Sequence, residues 1–205
     1  MRVSTWIIAT LFAVAPVAAI AAEGVPEKGK AKADAAGCFN CHGENGLATE
    51  TGLAADKNVP NLAGEPDLYL QFQLVFFRKG VRKNEIMNSM AESLSDEDIR
   101  NLGAYFASLP SPKAPPPADD APDDTALGAK VAQALHCANC HGDHFEGVDN
   151  MGRLAGQRED YLYKALRDFK AGARVATGAA SMAEVVYPLG DLEMKALAHY
   201  MSRLR

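Results

Sequence analysis

Cys-Phe-Asn-Cys-His at residues 38–42 recurs as Cys-Ala-Asn-Cys-His at residues 137–141, and these segments contain all four cysteines of the 205-residue chain. At this spacing two thiols can add across the vinyl groups of one haem, while the adjacent histidine binds the iron. Two such motifs, with no cysteine left over, predict two covalently attached haem c groups. The residues predicted to attach and ligate them are Cys38, Cys41 and His42, followed by Cys137, Cys140 and His141.

A zinc site shared by the two cysteine pairs is the alternative interpretation of these motifs, together with a pair of redox-active dithiols. Neither chemistry requires a histidine directly after the second cysteine of both pairs. Haem attachment is therefore the favoured interpretation.

The first residues have the pattern of a secretory signal peptide. Arg2 precedes an apolar run from Trp6 to Ile20, and two small residues, Ala21 and Ala22, follow. The run is short for a membrane span, so we expect cleavage beside Ala21 or Ala22 and no transmembrane span in the mature chain. An uncleaved anchor is the alternative. Because haem is attached to c-type cytochromes outside the cytoplasmic membrane, the predicted location is a bacterial periplasm.

Beyond the signal segment at residues 1–22, the chain contains an internal duplication. Residues 110–124 are rich in proline and aspartate, which indicates an extended linker without helix. The parts that flank it, residues 23–109 and 125–205, share a Leu-Ala-Gly motif, a Tyr-Leu pair, an aromatic residue and a glycine at matching positions. The sequence therefore predicts one haem domain on each side of the linker.

Helical periodicity dominates both domains, and no strand pattern competes with it. Helices are predicted from about Glu27 to Gly37, from Asp67 to Arg78 and from Ser95 to Leu109, with counterparts in the second domain. The predicted fold class is therefore all-α.

A glycine lies inside the first predicted helix of each domain, at Gly29 and at Gly128. Glycine lowers helix stability, so its presence there predicts a close helix crossing. We expect the crossing to face an aromatic residue of the last helix, such as Tyr105 or Tyr200.

The duplication also predicts the second axial ligand of each iron. Alignment of Leu94 with Leu189 superposes Met87 on Met182, whereas the other methionines face apolar residues of other types. An iron ligand cannot be replaced by valine, but a packing methionine can. Met87 and Met182 are therefore the predicted axial ligands, and the alternative is that both only pack in the core. With histidine and methionine bound, an iron has no open position for substrate, which is typical of electron transfer.

The motifs of the first domain resemble the cytochrome c4 family. They are the haem motif, Pro-Asn-Leu-Ala-Gly at residues 60–64, Tyr-Leu at residues 69–70, Phe77 to Gly80, and Met87. The resemblance implies two tandem class I cytochrome c domains that pass electrons within the periplasm to oxidases or other acceptors. It also implies axial methionines at Met87 and Met182, and haem propionates near the domain interface.

The second domain departs from this pattern, because Gly152 stands where the first domain has Pro60. In this fold a carbonyl near that proline is expected to orient the proximal histidine. We therefore expect the two haems to differ in reduction potential.

The functional prediction is a periplasmic dihaem electron carrier between respiratory redox partners, not an enzyme. One alternative is the cytochrome subunit that accepts electrons in a periplasmic dehydrogenase complex. Another, which needs an open iron position, is a dihaem enzyme such as a peroxidase or a thiosulfate dehydrogenase. The expected partners are an electron donor and an electron acceptor, for example a membrane oxidase.

The charge of the chain gives no evidence of nucleic-acid binding, because the formal net charge is −5. The basic cluster at residues 78–83 is interpreted as a solvated loop in preference to a docking patch.

Overall fold

The computed structural model describes residues 23–48, 58–113, 121–174 and 179–205. The predicted signal segment, residues 1–22, lies outside these ranges, as do residues 114–120 of the predicted linker. Over the described residues the structure consists of α-helices without β-strands, apart from an isolated bridge between Val148 and Met151. The prediction of an all-α fold is confirmed.

The helices form two sets of five. The first set is α1 (Pro26–Ala35), α2 (Phe39–His42), α3 (Asp67–Arg78), α4 (Glu85–Glu92) and α5 (Asp96–Ser108). The second set is α6 (Pro122–Ala134), α7 (Ala138–His141), α8 (Glu159–Lys170), α9 (Ala179–Val186) and α10 (Asp191–Arg203). In each set the first helix packs on the fifth, the third packs on the fifth, and the fourth packs on the third. The duplication in the sequence is thus a duplication of tertiary structure.

Each set of helices encloses its own apolar core. The core of the first domain contains Ala33, Leu70, Phe77, Ala91, Leu94, Ile99, Leu102, Tyr105 and Phe106. The core of the second domain contains Val131, Ala132, Leu162, Val186, Leu189, Met194, Leu197, Ala198 and Met201. Two separate cores make each domain a unit with its own hydrophobic stabilisation.

The helix boundaries follow from local chemistry. At the start of α5, the Ser95 hydroxyl accepts from Asp98 N–H (3.0 Å) and the Asp98 carboxylate accepts from Ser95 N–H (2.9 Å), which is a capping box. At the start of α10, the Glu193 carboxylate accepts from Gly190 N–H (2.7 Å). Helix α1 ends before its predicted limit because Gly37 has a φ of 70°, which terminates a right-handed helix.

Two features of the helices were not predicted. The short helices α2, α4, α7 and α9 lie in segments for which no helix was expected. Helix α6 starts at Pro122, inside the segment expected to be a linker without helix, so that expectation is wrong for its last three residues, 122–124. Proline is compatible with the first turn of a helix, and the carboxylates of Asp123 and Asp124 interact favourably with the helix dipole there.

The crossing of the first and last helices is tight at the predicted glycines. A Cβ atom on Gly29 would lie 2.6 Å from the Tyr105 Cβ and would also clash with the Asn101 carbonyl. A Cβ atom on Gly128 would lie 2.6 Å from the Tyr200 Cβ. The prediction of close crossings at Tyr105 and Tyr200 is confirmed.

Substitution of Gly29 by alanine is expected to force α1 away from α5. The expected loss is about 1–3 kcal/mol in the free energy of unfolding, which is typical of overpacking, measured by chemical denaturation of the haem-loaded protein. Ala31→Ser also adds one heavy atom to α1, but on its exposed face, and should change the unfolding free energy little. Equal effects of the two substitutions would contradict the tight crossing.

Candidate haem sites and the domain interface

Each haem motif forms a single helical turn that ends in a sharp change of chain direction. Cys38 precedes α2 and His42 ends it, and the following Gly43 has a φ of 74°. A Cβ atom on Gly43 would lie 2.5 Å from the Leu47 carbonyl oxygen, so glycine is required there. Gly142 has the same role after α7, with a φ of 86°. The motif therefore places two thiols and an imidazole on one short turn.

A backbone carbonyl orients each of the two motif histidines. Nδ1 of His42 lies 3.0 Å from the Pro60 carbonyl oxygen, and Nδ1 of His141 lies 2.7 Å from the Gly152 carbonyl oxygen. If Nδ1–H donates to the carbonyl, the Nε2 lone pair is left for a metal. Burial lowers the pKa of both imidazoles, which favours the neutral form that binds iron. The contact expected at Pro60 is thus present in both domains, although the second lacks the proline.

A cavity of about 490 Å³, lined mostly by the first domain and partly by the second, brings the predicted site residues of the first domain together. Cys38, Cys41, His42 and Met87 all line it. Its apolar walls include Leu70, Leu74, Phe77, Leu94, Leu102 and Phe106. A largely apolar cavity of this size, with a few polar groups, is typical of a cofactor site, and these residues fit a covalently attached haem.

Two of the candidate residues of the second domain pack on its core as their counterparts do in the first domain. Cys137 and Met182 both pack against the second core, while Cys140 is exposed. Cys38 and Met87 pack in the same manner against the first core. In both domains, therefore, the first cysteine of the motif and the predicted axial methionine border a common core.

Hydrogen bonds fix the position of α4, the helix that carries Met87. The Asn84 side chain accepts from Met87 N–H (2.9 Å), and Asn88 Nδ2 donates to the carbonyl oxygens of Phe77 (2.7 Å) and Arg82 (2.8 Å). These bonds join α4 to the end of α3. Met90 also lines the cavity, so the choice of Met87 as ligand stays a prediction based on its recurrence as Met182.

The zinc alternative has no ligand set in the described ranges, where no three His, Cys, Asp or Glu side chains are grouped as a metal ion requires. The two cysteine pairs also belong to different domains, since Cys38 borders the first core and Cys137 the second. Within the described residues, the two cysteine pairs therefore share no ligand set for zinc.

The two domains meet in an interface with approximate twofold symmetry. Asn61 N–H donates to Gln157 Oε1 (2.8 Å), and at the equivalent place Arg153 N–H donates to Glu65 Oε2 (2.8 Å). Gln157 Nε2 donates to Glu65 Oε1 (3.1 Å) between these two bonds. Burial raises the pKa of Glu65 to about 7, although both hydrogen bonds favour its ionised form. The twofold symmetry is thus broken, because Glu65 has a carboxyl group where Gln157, at the equivalent position of the second domain, has an amide.

A second set of crossed contacts joins arginines to tyrosines of the other domain. Arg82 Nη2 donates to the Tyr161 hydroxyl (3.0 Å), and Arg174 Nη2 donates to the Tyr69 hydroxyl (3.1 Å). Gln73 Oε1 accepts from both arginines, at 2.6 Å from Arg82 and 3.1 Å from Arg174. This group was not predicted from the sequence, although the alignment of Tyr69 with Tyr161 also superposes Arg82 on Arg174.

The interpretation of residues 78–83 as a solvated loop is wrong for both of its arginines, Arg78 and Arg82. Arg82 points into the interface, and Arg78 donates to the Leu94 carbonyl oxygen (2.7 Å) and to the Asp96 carboxylate (2.6 Å). Lys79 and Lys83 are exposed, as expected for a solvated loop.

The interface also explains the glycine that replaces proline in the second domain. A Cβ atom on Gly152 would lie 2.8 Å from Cζ of Tyr69, so the aromatic ring occupies the space of a side chain. Tyr69 N–H donates to the Asp149 carbonyl oxygen (3.1 Å) close by. A residue of the first domain thus packs against the segment whose carbonyl orients His141.

The fold and the paired motifs define an electron-transferring c-type cytochrome with two haem domains. Residues 26–110 and 125–205 each match the family model described as Cytochrome c. Among curated proteins, the chain is 31% identical to cytochrome c4 of Pseudomonas aeruginosa, over 89% of this chain and 90% of the relative. The chain belongs to the cytochrome c4 family. It therefore carries two covalent haem c groups and is an electron carrier and not an enzyme.

Curated relatives and one solved structure carry the name of thiosulfate dehydrogenase. The thiosulfate dehydrogenase electron acceptor of Thiomonas intermedia is 31% identical over 82% of this chain and 79% of its own length. The solved structure of thiosulfate dehydrogenase from Marichromatium purpuratum has a TM-score of 0.74 and 31% identity, over 87% of this chain and 40% of that one.

The crystal structure of reduced cytochrome c4 from Pseudomonas stutzeri has a TM-score of 0.77 and 29% identity, over 89% of this chain and 100% of that one.

None of the helices in the described part of the chain is long and apolar enough to span a membrane.

Substitution of Gly152 by alanine is expected to push Tyr69 out of its position. We expect an unfolding free energy about 1–3 kcal/mol lower, as for other overpacked sites, and a changed midpoint potential of the second haem because the carbonyl that contacts His141 moves. Potentiometric titration and denaturation measure the two effects. The double variant Gly152→Ala/Tyr69→Ala removes the clash, so the two substitutions should be strongly non-additive. Additive effects would contradict the contact.

Proposed function

We propose that this chain is a periplasmic electron carrier in which each haem is attached by two cysteines and ligated by a histidine and a methionine. The axial ligands proposed are His42 with Met87 in the first domain and His141 with Met182 in the second. The observation that carries this proposal is the single cavity in which Cys38, Cys41, His42 and Met87 meet. Haem iron supplies reversible one-electron transfer between its ferric and ferrous states.

The protein's part is to hold and shield the metal. The carbonyls of Pro60 and Gly152 keep the two imidazoles oriented, and their hydrogen bonds tune ligand basicity. A thioether ligand favours ferrous iron, which raises the reduction potential. With two protein ligands on each iron, no position is left for peroxide or another substrate, and this distinguishes a carrier from a dihaem enzyme.

The proposed location and domain limits rest on the sequence. The signal-peptide pattern of residues 1–22 supports export to the periplasm. The proposed domains are residues 23–109 and 125–205, joined by a linker at residues 110–124 whose last three residues belong to α6. The family matches at residues 26–110 and 125–205 support this division.

A second candidate function is the cytochrome subunit that accepts electrons from a dehydrogenase, with thiosulfate oxidation as the specific case. The similarity to electron acceptors of thiosulfate dehydrogenase in Thiomonas intermedia and Stutzerimonas stutzeri, both at 31% identity, favours it. The same two haem sites serve either role, so the two candidates differ in the partner and in the lifetime of the complex.

The ligand proposal is tested by replacing each predicted methionine with histidine. The wild type should carry two low-spin haems per chain, show the methionine–iron charge-transfer band in the near infrared and be inert to carbon monoxide. Met87→His and Met182→His should each lower the midpoint potential of one haem and remove its share of the band, because bis-histidine ligation gives a lower potential. Met90→Leu and Met201→Leu are the matched controls and should retain both features. Loss of the band in Met90→Leu would contradict the choice of Met87.

The two functional candidates are separated by rapid mixing and gel filtration. The oxidised protein is mixed with thiosulfate and a purified thiosulfate dehydrogenase, and haem reduction is followed at 50 and 500 mM salt. A carrier should react in a transient encounter and elute alone, since encounters steered by charge weaken at high salt. A complex that survives gel filtration would establish the subunit role. Reduction no faster than with thiosulfate alone would contradict thiosulfate oxidation as the source of electrons.

A further inference from the structure

The interface contains a buried arginine, Arg174, whose side-chain hydrogen bonds go to neutral groups. The Arg174 side chain is part of a residue only 9% exposed, and its Nη2 donates to two neutral groups, Tyr69 OH (3.1 Å) and Gln73 Oε1 (3.1 Å). Its guanidinium also lies over the Phe169 ring, 4.6 Å from the centroid. In the described ranges Arg174 forms no ion pair within 4.0 Å. Burial of a charge in this way is costly unless an anion compensates it.

Arg82 repeats this arrangement from the first domain. It donates to Gln73 Oε1 (2.6 Å) and to Tyr161 OH (3.0 Å), and its guanidinium lies 4.6 Å from the Phe77 ring centroid. Each arginine therefore has an aromatic ring of its own domain on one side and a tyrosine of the other domain at its tip. Because both guanidinium groups approach the same Gln73 oxygen, their like charges repel each other. An anion between them would relieve this repulsion.

Glu65, a buried acidic group of the interface, acts on Arg174 only through space and is not hydrogen-bonded to it. Glu65 accepts from Arg153 N–H with one oxygen and from Gln157 Nε2 with the other. Neither Arg82 nor Arg174 is hydrogen-bonded to it in the described structure. The two arginines therefore have unused capacity to bind a carboxylate that comes from elsewhere.

The cavity of the first domain leads directly to these arginines. It is lined by Cys38 and Cys41 of the first domain, by Arg82, and by Tyr161 and Arg174 of the second domain. A haem joined to two cysteines through its vinyl groups carries its two propionate carboxylates on the opposite edge of the ring. Guanidinium groups bind carboxylates through short, charge-assisted and often paired hydrogen bonds. The cavity thus connects the attachment thiols with a site suited to the acidic edge of the same cofactor.

We propose that Arg174, a residue of the second domain, binds a propionate of the haem carried by the first domain, together with Arg82. Tyr69 and Tyr161 are positioning residues that hold the two guanidinium groups across the interface. This inference rests on the proposed attachment of the first haem at Cys38 and Cys41. It adds a contact by which the second domain acts on the cofactor of the first.

The proposed contact has an electrostatic consequence. A positive charge beside a haem propionate stabilises the ferrous form, which carries one positive charge fewer at the iron than the ferric form. Arg174 therefore raises the reduction potential of the haem in the other domain. Haem attachment in the first domain also supplies an anion to the interface, so it should strengthen the docking of the two domains.

The test uses the full-length, haem-loaded protein with Arg174→Gln, Arg174→Lys and Arg158→Gln. Arg158 is the matched control, because it lies in the same domain with its side chain only 10% exposed, but it is paired with Asp160 (2.8 Å). Resonance Raman bands of propionate bending report the carboxylate contact directly. The midpoint potential of the first haem is assigned by repeating the titration in the Met87→His background.

We expect Arg174→Gln to shift the propionate bands and to lower the potential of the first haem more than that of the second. Arg174→Lys should restore part of the potential because it restores the charge, and Arg158→Gln should leave bands and potentials as in the wild type. Tyr69→Phe, which removes only a hydroxyl group, should give a smaller shift in the same direction. This mild variant keeps the proposal testable if Arg174→Gln folds poorly.

Unchanged propionate bands and an unchanged first potential in Arg174→Gln, with both haems present and the methionine–iron band retained, would overturn this proposal alone. Equal potential shifts in Arg174→Gln and Arg158→Gln would also overturn it, because they would indicate a general structural effect. A wild type that lacks the methionine–iron band would instead overturn the proposed ligation of the haems.

Discussion

The close crossing of the first and last helices is the contact on which each domain depends. At Gly29 and Gly128 the two backbones approach to a distance that leaves no room for a side chain. In the first domain α5 then supplies Leu102 and Phe106 to the wall of the haem cavity. The α3 helix packs on α5, and α4 packs on α3. The position of the predicted methionine ligand is therefore set, through two further helix contacts, by a crossing that lies outside the cavity.

The interface makes the two haem sites unequal although the domains arose by duplication. The carbonyl beside His42 belongs to a proline, whereas the one beside His141 belongs to a glycine over which a tyrosine of the first domain is packed. At the centre of the interface a buried carboxyl group, Glu65, faces the amide of Gln157. Two irons with the same ligand types can then differ in potential, because their surroundings differ in hydrogen bonding and charge.

Features that depend on residues close in sequence could be predicted, and those that depend on contacts between domains could not. The haem motif is a local turn, so its five residues indicate the attachment chemistry without the fold. The helix crossing was predictable because glycine destabilises a helix and is expected inside one where there is no room for a side chain. The duplication shows such a glycine in the first helix of both domains. Arg82 was misinterpreted because in sequence it belongs to a charged cluster, whereas its contact with Tyr161 exists only after the domains dock. Helix α4 was missed because eight residues give too little periodicity, and the cavity alone does not choose between Met87 and Met90.

Gln73 accepts hydrogen bonds from the arginines of both domains, and its equivalent in the second domain is Ala165. A symmetric pair of first domains would have two glutamines at this position, and a symmetric pair of second domains would have two alanines and leave both arginines without this acceptor. Neither domain can therefore reproduce the interface by pairing with a second copy of itself. The duplicated units are no longer interchangeable modules, and an exchange of their order or a construction of symmetric dimers from one of them would require this position to be redesigned.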